Sequence, residues 1–177
     1  IKDGIVRARK PGDPSDIDIA STSDPAFGGN DVIDAGSEND IVFGGTGDDT
    51  VLGGTGNDLI FGDHGKVEGS VDPANLPQSL ANMRFTFTAI DTHSHDADGN
   101  ALGGDDVLIG GTGADIILGQ QGKDVIRGGA GDDDLIGGHN VNGGHDTHDR
   151  IDGEAGTDVI AGDNATILRR DDGQSAR

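Results

Sequence analysis

Between residues 26 and 161 a large aliphatic residue returns every ninth position, with two breaks, after Ile60 and after Leu135. In the first stretch it is Ile33, Val42, Val51 and Ile60; in the second it is Leu108, Ile117, Ile126, Leu135, Ile151 and Ile160. Each is flanked by residues of mixed polarity, and two positions before each stands an aspartate. The alternation around the aliphatic position predicts a strand of three residues, since side chains along a strand point alternately to opposite faces. The other six residues are rich in glycine and predict a tight turn, because glycine adopts positive φ freely. Written out, the unit is G-G-x-G-x-D-x-U-x, best seen in 44–52 and 53–61 and in 110–136.

Such a strand cannot stand alone, so the units must stack. Two units per turn make a flattened coil with two short parallel sheets whose aliphatic residues meet in a thin core. The predicted class is all-β, a β-roll or β-solenoid. Burial of one aliphatic side chain per unit contributes about 1.5–3 kcal/mol. Ordering nine residues costs about 1–2 kcal/mol per residue in the backbone alone. Apolar burial therefore loses unless something else stabilises the turns.

A larger repeat sits above the unit. Both arrays open alike, at 26–33 and 101–108, and both end alike, in Gly62-Asp63 and Gly162-Asp163. The chain divides into a lead-in (1–25), a first array with its terminator (26–68) and an irregular segment (69–100). A second array with its terminator (101–168, broken by an insertion at 137–143) and a tail (169–177) follow. The absence of an initial Met and the truncated third lead-in suggest a piece of something longer. Whether the arrays form one roll or two side by side is open at this point.

Composition sharpens the picture. Glycine accounts for 33 of 177 residues, and 33 acids face 12 bases for a net charge of −21. Only Glu38, Glu68 and Glu154 of those acids are glutamate, leaving 30 aspartates. That charge repels nucleic acid and anionic membranes. Cysteine is absent, which excludes disulfides and thiolate chemistry. No apolar run approaches the length of about 18 residues that crosses a bilayer. Low hydrophobicity with high charge is also a composition of disordered chains, but the period argues for order.

Stacking brings the position-six aspartate of one unit near that of the next but one. Unbridged, the carboxylates repel. A hard cation between them, with loop carbonyls, reaches about six oxygen ligands and suits calcium better than magnesium. The candidate side chains are Asp31, Asp40, Asp49, Asp58, Asp106, Asp115, Asp124, Asp133, Asp149 and Asp158. The candidate carbonyls are those of positions one, three and five in the best units. They are Gly44, Thr46 and Asp48; Gly53, Thr55 and Asn57; Gly110, Thr112 and Ala114; Gly119, Gln121 and Lys123; and Gly128, Ala130 and Asp132. Complete pairs predict about four to eight ions in all, with folding and calcium binding one equilibrium.

The unit resembles the calcium-binding nonapeptide of RTX proteins. The resemblance implies a right-handed parallel β-roll and an extracellular bacterial protein exported unfolded by type I secretion and folded by external calcium. More loosely, the lead-ins resemble those of very large repetitive surface proteins, which implies a spacer or adhesin-type element with neighbouring modules as partners. Units 26–43 and 144–152 match less well, with Ala35, Glu38 and Thr147 in place of glycines.

Other features carry a blander and a sharper reading. Ile41, Phe43, Leu59 and Phe61 should face outward from one sheet; either Met83–Ile90, which alternates as a strand does, covers them or a partner does. His139, His145 and His148 form either a polar loop or a transition-metal site. Gly111-Thr112-Gly113 lacks the lysine of a phosphate loop. Asn164-Ala165-Thr166 is a formal glycosylation sequon. Arg7, Arg9, Lys10, Arg169 and Arg170 read as counter-charge. Asp13-Pro14, Asp24-Pro25 and Asp72-Pro73 are turn dipeptides or, as in some RTX proteins, self-cleavage sites. No nucleophile constellation appears, and the reading is of a protein that is not an enzyme.

Overall fold

The computed structural model describes residues 19–23, 26–69, 87–93 and 103–167. Two five-stranded parallel sheets lie face to face. One runs β12 (Arg150–Ala155), β10 (Val125–Ala130), β8 (Val107–Thr112), β4 (Thr50–Thr55), β2 (Val32–Ser37). The other runs β13 (Val159–Ala161), β11 (Asp134–Ile136), β9 (Ile116–Leu118), β5 (Leu59–Phe61), β3 (Ile41–Phe43). The chain alternates between the sheets, so each pair of units adds one turn of a β-solenoid. The position-eight residues Val42, Val51, Ile60, Leu108, Ile117, Ile126 and Leu135 form the core between the sheets.

The strands of the first sheet are six residues long, twice the expected length. Pairing continues through the next unit's opening residues, as in Gly54↔Gly111 and Thr55↔Thr112. Positive φ at the second glycine, 107° at Gly54 and 115° at Gly111, keeps the backbone in register where an L-residue would be strained. The second sheet keeps the expected three-residue strands.

The two arrays form one continuous roll. Strand β4 pairs with β8 and β5 with β9 in the register that joins neighbours inside each array. The chain leaves the roll after Asp63 and is back in it at Gly103. The described part of this excursion returns as β6 (His64–Gly69) and β7 (Phe87–His93), which with β1 (Ile19–Ser21) make an antiparallel sheet ordered β1-β6-β7. The strand expected at Met83–Ile90 is therefore placed at Phe87–His93; Met83–Thr86 lie outside the described residues.

This small sheet settles the aromatic face. Phe61 is fully buried and stacks on Phe43 at 4.7 Å. Leu59, Phe61, Val67, Leu118 and Ile136 form a second core cluster, with Ile90, Ala165 and Ile167 packed against it. Internal packing covers the face, and both terminators share the task with the lead-in. The basic residues at 7–10 and 169–170 and the Asp-Pro steps lie outside the described residues.

Candidate metal centre

The position-six aspartates form two columns, one along each edge of the roll. In the first, the main-chain N–H of Asp31 donates to Asp49 Oδ1 at 2.7 Å. Asp49 donates to Asp106 at 2.8 Å, Asp106 to Asp124 at 2.8 Å and Asp124 to Asp149 at 2.9 Å. In the second, Asp40 donates to Asp58, Asp58 to Asp115, Asp115 to Asp133 and Asp133 to Asp158, at 2.8–3.1 Å. Eight of the ten nominated side chains thus accept in register, and Asp31 and Asp40 enter the columns through their main-chain N–H. One oxygen of each acceptor ties two turns together.

In seven of the column aspartates Oδ2 has no protein partner. Oδ2 of Asp40, Asp49, Asp58, Asp106, Asp115, Asp124 and Asp149 is buried and without a hydrogen bond. An unpaired buried carboxylate oxygen is costly. Burial, followed by the like charge of neighbouring aspartates, raises six of these carboxyls above their ordinary value. Asp106 and Asp124 are each pushed to about 8 and Asp115 to about 6, while Asp49, Asp58 and Asp149 also move up. Buried carboxylate oxygens without a partner are groups that a bound cation would neutralise.

Position-one glycines mark where the space lies. A Cβ on Gly53 would stand 2.6 Å from Asp58 Oδ2 and 2.6 Å from the Gly110 carbonyl oxygen. The same pairing of a carboxylate oxygen with a glycine carbonyl two units on recurs at Gly44, Gly110, Gly119 and Gly128. Main-chain oxygens and carboxylates thus converge, the donor set a hard cation takes. At the two frame breaks the geometry reassigns the glycine. Gly62 faces Asp106, and Gly137, not Gly144, faces Asp149.

The remaining nominees divide. The carbonyls of Thr112 and Ala130 accept N–H bonds from Gly56 and Gly113 at 2.8 Å. Thr46 Oγ1 lies 2.7 Å from His64 Nε2. The Gln121 N–H donates to Asp63 Oδ2 at 2.9 Å. Position five carries a second, opposite ladder: N–H of Asp48, Asp105 and Lys123 donates to Asn30, Asp48 and Asp105 respectively. On the other edge Asn57 donates to Asn39, Ala114 to Asn57 and Thr157 to Asp132. Asp48, Asp105 and Asp132, with Asn30, Asn39 and Asn57, are thereby explained as turn-to-turn hydrogen bonding.

Asp63 and Asp146 were missed. Asp63 is fully buried at the junction of the arrays and pushed up to about 9 by burial and then by Asp106. It accepts from Gly104 at 3.0 Å and donates its N–H to Gln120 Oε1 at 3.0 Å. Asp146 Oδ2 is orphaned beside Asp149, and its carboxyl is raised to about 6 by burial and that neighbour. The repeated terminator Gly-Asp was the available signal for the first; nothing in the repeat pointed to the second.

The weaker units differ in kind. Position four is left-handed in Gly47, Gly56, Gly113, Gly122, Gly131 and Gly156, and Glu38 is held there too, at φ 79°. A non-glycine residue in that region costs on the order of 1–3 kcal/mol. Thr147 is not among the positive-φ residues; its hydroxyl donates to the Gly122 carbonyl instead.

Among the described residues no three His, Cys, Asp or Glu side chains gather into one metal cluster. The site is built from stacked pairs and carbonyls. His139 is structural: fully buried, with Nδ1 3.0 Å from Thr92 Oγ1 and Nε2 3.0 Å from the His145 carbonyl. Asn164 of the sequon accepts from the His139 N–H at 2.6 Å and donates to Gly144 at 2.8 Å. No helix among the described residues is long and apolar enough to cross a membrane.

The family model of the RTX calcium-binding nonapeptide repeat matches the chain in four copies, over residues 26–60, 43–65, 100–135 and 144–165. No curated protein and no solved structure matches.

Proposed function

The chain belongs to the family of RTX calcium-binding nonapeptide repeats, and on that premise we propose that it is a module that folds on calcium outside the cell. In this reading it serves as a stiff spacer or adhesin-type element of a large secreted protein, with neighbouring modules as partners. The observation that carries it is the double column of buried, orphaned Asp oxygens. Inside the cell, at low calcium, like charges along each edge hold the turns apart and favour the extended chain suited to export. Outside, the paired carboxylates and the position-one carbonyls would hold a divalent ion, which would supply the charge that neutralises them.

The chain's own residues do the rest. Asp Oδ1 clamps the turn before it, position-five side chains clamp in the opposite sense, and the aliphatic core closes between the sheets. Stiffness follows from a roll whose turns are each bonded to both neighbours. The test is far-UV circular dichroism with and without calcium: β signal should appear with calcium and vanish with EDTA. A chain equally β-rich in EDTA at neutral pH overturns the reading.

A further inference from the structure

The roll joins its two arrays without using chain continuity. Strand β4 receives β8, and β5 receives β9, although the excursion from Asp63 to Gly103 intervenes. Across this joint the Asp49–Asp106 and Asp58–Asp115 bonds measure 2.8 Å, the same as Asp106–Asp124 within an array. The last turn of one array is thus a complete docking surface for the first turn of another.

The same surface recurs at the end of the second array. Among the described residues β12 and β13 are paired on one side only. Ile160 holds the core position that Ile60, Ile117 and Leu135 occupy fully buried, yet it is 48% exposed. Each aspartate column runs N–H to carboxylate in one direction, so its next donors are the N–H groups of Asp149 and Asp158. At the opposite end, β2 and β3 are likewise paired on one side, and Asp31 and Asp40 hold the first carboxylates.

We propose that the β12–β13 end of one copy docks the β2–β3 end of a second copy, head to tail. The internal register, extended by one step, sets Ile151 on Ile33 and Ile160 on Val42. It also sets Asp149 against Asp31 and Asp158 against Asp40. These end pairs are incomplete within one chain; the second copy completes them. The proposal rests on the calcium reading, because the two acidic ends repel until divalent ions bridge them. Parallel strands make the contact heterologous, so it propagates into open chains of copies rather than closing. Asp152 would lie beside Asp34 on the outer face, a like-charge contact that weakens the joint and offers a handle.

Sedimentation velocity of the full chain, from micromolar to submillimolar protein in millimolar calcium, tests this, with circular dichroism on the same samples. Expected are species that grow with concentration in calcium and a monomer in EDTA. Ile160→Lys should weaken association roughly tenfold or more, the equivalent of losing one buried aliphatic contact. Asp152→Lys, which turns the repulsion with Asp34 into attraction, should tighten it. A chain that folds with calcium but stays monomeric leaves the end to its own flanking residues and overturns the docking alone. Association unchanged in both variants overturns it too. A chain with no calcium response overturns the docking and the calcium reading together.

Discussion

Asp106→Asn should change the stability of the roll in opposite directions with and without calcium. The substitution keeps an oxygen to accept the Asp49 N–H and removes one charge from the middle of a column. Asp106 is 1% exposed, and its carboxyl is raised from 3.8 to about 8, chiefly by burial and then by Asp49, Asp48 and Asp105. A carboxyl whose folded pKa lies above its unfolded value favours the fold fully below the unfolded value. That contribution is lost as pH rises towards the folded one. At pH 7 the penalty covers the gap between 3.8 and 7, on the order of 4 kcal/mol at 1.36 kcal/mol per unit. This is a large share of the roughly 5–15 kcal/mol that holds a typical domain together. The calcium-free wild type should therefore show β signal in acid and lose it as pH rises from about 4 towards 8, the span between the ordinary and the raised values of these carboxyls. In Asp106→Asn that midpoint should move upward, while the calcium needed to fold the chain at neutral pH should increase. Circular dichroism along pH in metal-free buffer, then along calcium at pH 7.4, reads both. A metal-free midpoint unmoved or lowered by the variant would refute the argument that buried charge opens the roll.

Other substitutions probe other links. Gly53→Ala places a methyl against Asp58 Oδ2 and the Gly110 carbonyl; it should cost about 1–3 kcal/mol in thermal or urea unfolding with calcium and remove one ion from the binding stoichiometry. Phe61→Ala, at the buried stack with Phe43, should cost about 3–5 kcal/mol, read as a lower urea midpoint in saturating calcium. Gly69 lies opposite Phe87 in the β6–β7 register, so replacing residues 70–86 with an Asn-Gly turn should preserve calcium-dependent folding and its midpoint. Loss of folding in that variant would show that the replaced segment contributes to the roll.

The repeating unit was legible because its physics is local. A glycine turn, an aspartate and one aliphatic residue in nine specify a rung whatever lies further along the chain. Ile60, Ile117 and Leu135 were assigned to the core from period alone, and they are fully buried. The n to n+2 pairing of aspartates followed from two units per turn. Covering of Phe61 by the chain itself was one of two open readings, and the part played by Val67 and Ile167 was not legible, because a terminator strand carries no period.

Beyond the rung, tertiary structure decided. Rungs recognise one another through main-chain bonds and a flat core, which are indifferent to the connecting chain. Sequence distance therefore could not say that β4 meets β8, that Gly62 stands beside Asp106, or that Asp63 is sealed within the joint. The composition determined that this chain is an acid in need of a cation. The stacking determined which of its aspartates lie buried mid-column, as Asp49, Asp106 and Asp124 do, and which stand at the ends with Asp31 and Asp149, since burial depends on having a turn on either side.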